Sequence, residues 1–330
     1  MKTLLKKVLG VGVAVGLVAG FTVVQGKVAN AGWEPVKPIE LVVMAGKGGG
    51  ADKLARLIQT IITKHKLCPL PVEPINKPGG SGAEALVYMK NHRDPDYALM
   101  VTLNSFYTTP MRQPRLGVDP LKFAPLARMA EDTFLLWVHK DSGIKTVAEF
   151  VTKAKAMGNK WIMAGTGKAQ EDELLTDFLN ASYGLNMKYI PYKGGGKVAK
   201  QLAGKHANST VNNPSEALGF YEAGTVVPLA SFTDKRLPMF KDTPTFKELG
   251  KNFEYYMQRS IVGAPGMSKG AQAYYMEMLK KVYNTPEWQD YMKKKSLQGE
   301  LLQGDALMAY WKREYARHHE MLMKMGAIKG

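Results

Sequence analysis

Apolar positions along the chain alternate between two periods. Ile39 to Ala45 is a continuous apolar run broken only by Glu40, the pattern of a strand covered on both faces. A Gly-rich turn follows, and then Leu54, Leu57, Ile58, Ile61 and Ile62 recur at helical spacing. A strand at Val72 to Ile75, a Gly-rich turn at Gly79 to Gly82, a helix through Leu86 and Met89, and a strand at Tyr97 to Leu103 complete a βαβαβ unit. A second unit starts with a strand near Phe134 to Val138, followed by a helix at Val147 to Ala156 and a strand at Trp161 to Ala164. Leu174, Leu175, Phe178 and Leu179 mark its next helix. Short strands at Lys188 to Ile190, Ser209 to Val211 and Val227 to Ser231 alternate with helices near Val198 and Ala217. Two such units predict two parallel α/β lobes. From Ser268 the pattern predicts a helical tail packed on one lobe: Tyr274 to Tyr283, Pro286 to Lys294, and Asp305 to Met325.

The first 31 residues read differently. Lys2, Lys6 and Lys7 precede an apolar stretch from Val8 to Val24, and Ala29-Asn30-Ala31 supplies a small-x-small cleavage pattern. A signal peptide over residues 1–31 is expected, with a mature chain starting at Gly32; an uncleaved anchor is the other reading. Cleavage removes four lysines and no acid, lowering the formal charge from +16 to +12. That excess points to anionic partners. With 45% hydrophobic residues the chain is not disordered, and its single Cys68 excludes a disulfide scaffold.

Three glycine-rich turns carry the candidate chemistry. Gly46-Lys47-Gly48-Gly49-Gly50-Ala51-Asp52, Gly165-Thr166-Gly167-Lys168 and Tyr192-Lys193-Gly194-Gly195-Gly196-Lys197 each lead from a strand into a helix. Such turns leave backbone N–H groups and the positive end of the helix dipole facing outward, which suits anions. Each also has the plainer reading of a tight turn. Asp52 reads as an N-cap, and Glu171, Asp172 and Glu173 as first-turn partners of a helix dipole, with acceptance of a bond from a ligand hydroxyl by one of the three as the other reading. Enzyme signatures fail on particular residues. A phosphate-binding loop ending at Gly167-Lys168 needs Gly where Ile162 stands and Ser or Thr where Ala169 stands. Gly196-Lys197 is followed by Val198, and Ser81 has no nucleophile-elbow context. The histidines show no metal-ligand spacing, and His318-His319 on the last helix reads as packed or exposed. Lys293-Lys294-Lys295 lacks the aromatic interleaving of a nucleic-acid platform. No cofactor, metal or nucleic acid is expected.

The order of motifs resembles the substrate-binding proteins of tripartite tricarboxylate transporters, the Bug family. The resemblance rests on Pro38 to Val43, Asn76 to Glu84, Gly165-Thr166-Gly167 with Glu171-Asp172, Pro191 to Gly196, Asn212 to Ala217, and Arg259 to Gly266. The Glu171-Asp172 and Asn212-Asn213 versions resemble the tricarboxylate-type branch. It implies a type II periplasmic-binding-protein fold, two parallel-sheet lobes joined by two crossing strands: residues 32–132 plus 255–330 as lobe 1 and 133–254 as lobe 2. It further implies a monomeric periplasmic protein that captures an organic di- or tricarboxylate without catalysis and delivers it to a membrane permease. A ligand-presenting sensor subunit and an enzyme acting on a small acid are the alternatives. Carried onto this chain, the family's site corresponds to Gly46, Lys47, Gly48 and Gly49 with Asn104 and Ser105 on the first lobe. On the second lobe it corresponds to Gly165, Thr166, Gly167, Lys168, Tyr192, Lys193, Gly194, Asn212 and Asn213. In the first loop Lys47-Gly48 stands where the family usually has a Pro-Gly-Gly-Gly core. Arg259 has two readings, a structural pair with Asp132 or Glu254, or a planar fork for a ligand carboxylate.

Overall fold

The computed structural model describes residues 32–168 and 170–329, so the expected leader at 1–31 lies outside the described residues. Ten strands and ten helices follow in chain order among them. The first lobe opens with β1 (Ile39–Val43), α1 (Gly50–Lys64), β2 (Val72–Asn76), α2 (Ala83–Lys90), β3 (Ala98–Thr102), α3 (Ser105–Arg112) and β4 (Ala124–Asp132). The chain then crosses through Thr133 and Phe134 into β5 (Leu135–His139). The second lobe continues with α4 (Val147–Met157), β6 (Ile162–Thr166), α5 (Glu171–Tyr183), β7 (Lys188–Tyr192), α6 (Gly195–Ala203), β8 (Ser209–Asn212), α7 (Pro214–Glu222) and β9 (Val226–Ser231). It returns as β10 (Met257–Gly263) and ends in α8 (Lys269–Tyr283), α9 (Pro286–Lys294) and α10 (Gly304–Lys324).

Each lobe holds a five-stranded sheet, ordered β2-β1-β3-β10-β4 and β7-β6-β8-β5-β9. The sheets are mixed rather than parallel. β1 pairs in parallel with β2 and β3, but β10 runs antiparallel to β3 and β4. In the second sheet β6 pairs in parallel with β7 and β8, whereas β5 runs antiparallel to β8 and β9. The reversed strand in each sheet is the one that arrives from the other lobe. A chain that leaves along one edge and comes back beside it must run opposite to the strands it joins. The two expected crossing strands are therefore what breaks the parallel pattern.

Two further elements depart from the sequence reading. β4 and α3 are both absent from it: Pro125, Arg128 and Glu131 interrupt the apolar run of β4, and Pro110 stands inside α3. The tail also packs on more than one lobe. Leu307, Tyr310 and Trp311 at the start of α10 join the core around Val42, Met100 and Phe106. Leu322 near its end joins the second lobe's core around Leu136, Phe232 and Tyr255. α10 is a strap across both.

The cores follow from period and capping. Leu41 and Val43 of β1 face α1 and α8 in one cluster, and Val42 faces α2, α3 and α10 in another, as a twofold side-chain period requires. α1 buries Leu54, Ile58, Ile61 and Ile62 against that first cluster. Thr146, Ser268 and Thr285 cap α4, α8 and α9 by accepting from backbone N–H groups of the first turn.

Candidate functional site

A cleft of about 750 Å³ lies between the lobes, lined by three of the glycine turns, by Pro78 to Ser81, and by Leu103, Phe134, Met257 and Arg259 at its floor. The first wall is the turn before α1. Gly48 has φ +79°, the left-handed region where a side chain is disfavoured. Its N–H donates to Asp52 Oδ2 at 2.9 Å. Asp52 also takes Arg56 Nε and Asn76 Nδ2 (3.0 Å), and Asn76 reaches Ala45 O at 3.0 Å. Burial works against the Asp52 charge, but Arg56, the Gly48 N–H and Asn76 outweigh it and hold the carboxyl below its usual range. Asp52 is thus not the N-cap, which is Gly49; it braces the loop from inside the first turn. The next N–H groups, at Gly50 and Ala51, open the helix with no intrahelical acceptor.

Arg259 stands beside that turn. Its Nε and Nη2 both donate to Asp132 Oδ2, at 3.2 and 2.5 Å, and both residues are buried. The pairing acid is Asp132 and not Glu254, which is bound to Lys247. Burial alone would depress the guanidinium, yet the Asp132 charge raises it and keeps it ionised. A Cβ on Gly50 would come within 2.8 Å of Arg259 Nη2, so the absent side chain is what lets helix α1 start against the guanidinium. Arg259 therefore makes the structural pair and also lines the cleft.

On the second lobe Thr166, Gly167, Gln170, Glu171 and Asp172 form one wall, and Tyr192 to Lys197 with Lys200, Asn213 and Glu216 form the next. Gly167 (φ +53°) and Gly194 (φ +91°) again need glycine. Asp172 Oδ2 accepts the Thr166 N–H at 2.7 Å, and Tyr189 Oη donates to Thr166 O and Gly167 O at 2.8 and 3.0 Å. Glu171 and Asp172 do sit in the first turn of α5. Glu171, however, reaches across to the first lobe and accepts the Ser105 N–H at 3.2 Å, capping α3. Burial raises Glu171 and Glu216 and pushes Asp172 well above the carboxylate range, with the Glu216 charge adding to the last.

Of the residues singled out from sequence, the cleft brings together Gly46, Lys47, Gly48, Gly49, Thr166, Gly167, Tyr192, Lys193, Gly194, Asn213 and Arg259. Asn104, Ser105, Gly165, Lys168 and Asn212 are not on its lining. Asn104 is buried and occupied: its Nδ2 donates to Tyr255 Oη and Tyr256 O, and its Oδ1 accepts from Gln258 N. It ties α3 to the returning strand. Lys168 is exposed and its carbonyl accepts from Arg112. Asn212 is buried and gives its amide to Gly195 O and Glu216 Oε2. Gly165 lies within β6, where a Cβ would stand 2.6 Å from both Asp172 Cβ and Tyr189 Cε2. Gly165→Ala is accordingly expected to cost about 1–3 kcal/mol through overpacking, seen as a lowered calorimetric melting temperature.

Sequence reasoning missed Pro78 to Ser81, Gln170 and Glu216 as lining residues. The first of these had a signal, a glycine cluster directly after a strand. Leu103, Phe134 and Met257 had none, since apolar residues at strand ends look like core.

Two α/β lobes on crossing strands, with helix starts facing each other over a shared cleft, define a bilobal solute-binding protein. Among the described residues no group of three or more His, Cys, Asp or Glu could hold a metal ion. The chain belongs to the tripartite tricarboxylate transporter receptor family, whose model matches residues 54–327. A Cupriavidus necator relative, the "UPF0065 protein in gbd 5'region", is 26% identical over 296 residues, 89% of each chain. The solved periplasmic binding protein BugD superposes with a TM-score of 0.82 at 24% identity, covering 90% of this chain and 100% of that one. The R. palustris protein Rpa4515, solved with adipate, gives a TM-score of 0.79 at 22% identity, covering 88% and 98%.

Proposed function

We propose that this chain is a periplasmic solute-binding protein that captures an organic di- or tricarboxylate between its lobes and presents it to a membrane permease of the tripartite tricarboxylate class. Export would proceed with cleavage after Ala31, and the protein would act as a monomer without a catalytic step. The observation that carries the reading is the cleft itself. Glycine turns at helix N-termini from both lobes meet there, with Arg259 on the floor and Lys47, Lys193, Lys197 and Lys200 exposed around it. Helix N-termini and lysines both favour negative charge. Membership of the receptor family and the adipate bound to the R. palustris protein support the ligand class.

The binding energy of each ligand carboxylate sets the test. Hydrogen bonds to a charged group contribute about 1.5–3 kcal/mol, so a ligand that loses one carboxylate should bind at least about tenfold more weakly. Calorimetry on a matched series of diacid, its monoamide and monoacid, at fixed ionic strength, reads this directly. Equal affinity across the series would refute a polycarboxylate ligand.

A further inference from the structure

Helix α3 is built into the first lobe yet gripped at both ends by the second. On its own lobe, Phe106 and Tyr107 enter the core with Val42 and Met100, and Thr109 Oγ1 donates to Ser81 O at 2.7 Å. At its start, the buried Glu171 of α5 reaches over and accepts the Ser105 N–H at 3.2 Å. At its end, Arg112 Nη1 donates to Lys168 O, just before α5, also at 3.2 Å. The Glu173 charge, in the first turn of α5, offsets part of what burial takes from that guanidinium. Between these two bonds Met111 packs against the second lobe's core. The contacts are reciprocal: a side chain of each lobe holds main chain of the other.

The crossing strands and the α10 strap join the lobes through the chain itself and through apolar packing. The α3 seam is polar, and all four of its groups belong to the protein. Ser105 N–H is a first-turn donor with no intrahelical acceptor, and an acid at a helix start is favoured by the dipole. Parting the lobes along this seam removes that cap and leaves a buried donor without its partner. The same contact places α5 over Ser105, which is why Ser105 is absent from the cleft lining. We propose that Glu171, with Arg112, forms an interlobe latch that sets the cleft in its binding geometry before a ligand arrives, and that Glu171 is a positioning residue. A protein already in its competent conformation loses no affinity to an open population.

Small-angle scattering of the ligand-free mature protein tests this, with circular dichroism to confirm folding. Wild type is expected to match the curve calculated from this structure. Glu171→Met keeps the length and removes the acceptor, and should raise the radius of gyration and the maximum dimension. Glu171→Gln keeps a side-chain oxygen at the same reach and should scatter as wild type does, which loss of a purely local helix cap would not distinguish. If Glu171→Met does not fold, Arg112→Ala takes its place and should expand the particle by freeing the outer end of the seam. Four results would overturn the latch: a wild type more extended than this structure, a folded Glu171→Met with an unchanged profile, a Glu171→Gln as expanded as Glu171→Met, or, where Arg112→Ala stands in, no expansion. No ligand enters the experiment, so its outcome is independent of the carboxylate reading.

Discussion

Arg259→Met is expected to destabilise the protein by about 3–5 kcal/mol, because it strands the Asp132 carboxylate in a place water does not reach. Only 3% of Arg259 and 2% of Asp132 are exposed, and beyond Arg259 the Asp132 carboxylate accepts the Thr133 N–H at 3.0 Å. The loss belongs to the unpaired charge and not to the pair's own worth. A buried ion pair replaced as a whole by apolar side chains of similar volume is often neutral. The double variant Arg259→Met with Asp132→Leu should therefore recover most of the loss. Urea denaturation of the ligand-free proteins measures both. A single-variant cost below about 1 kcal/mol would mean that Asp132 finds another partner or is not buried in solution.

The second large effect is a pH dependence at the strap. His318 on α10 is fully buried; its Nδ1 lies 2.7 Å from Glu314 O and its Nε2 3.0 Å from Tyr255 Oη. The carbonyl can only accept, so Nδ1 carries the hydrogen and Nε2 accepts from Tyr255. Tyr255 Oη in turn accepts from Asn104 Nδ2 at 3.1 Å, which joins α10, the crossing segment and α3. Burial, with Arg317 adding to it, lowers the imidazole to about 4. The unfolded chain takes up this proton near pH 6.5, and the folded one does so only near pH 4. Stability is thus unaffected above about pH 6.5 and falls as pH drops toward 4, by up to about 3 kcal/mol. Glu171, Asp172 and Glu216, which burial raises, pull the other way. They are common to wild type and His318→Gln and cancel in the comparison. The stability advantage of wild type over His318→Gln should shrink by about 2.5 kcal/mol between pH 7.5 and 4.5. An unchanged difference would mean that His318 titrates alike in both states.

What the sequence made legible follows from how local each signal is. β1 and α1 stand out because their apolar positions have a clear period, and the turn between them because glycines cluster where a strand becomes a helix. β4 is hidden because part of what satisfies its polar residues lies far along the chain: besides Glu131 in the same strand, Arg128 is met by Glu300 O, 172 residues away. The mixed sheets are hidden for the same reason, since strand direction is set by partners from the other lobe. In the site, the backbone turns were legible and the side chains were not. The family resemblance implies Asn104 as a ligand group, yet its donors and acceptors are spent on Tyr255, Tyr256 and Gln258. Glu216 stands in the first turn of α7, and only folding brings it over Gly195.

The central claim, that the cleft holds an organic polycarboxylate, is tested most directly by the molecule the protein carries. Protein purified from its native periplasm without denaturation would be weighed intact by native mass spectrometry, and its ligand released and identified. The account predicts a near-stoichiometric small acid with at least two carboxyl groups. A neutral sugar, a monocarboxylate or a cationic ligand at that stoichiometry would contradict it.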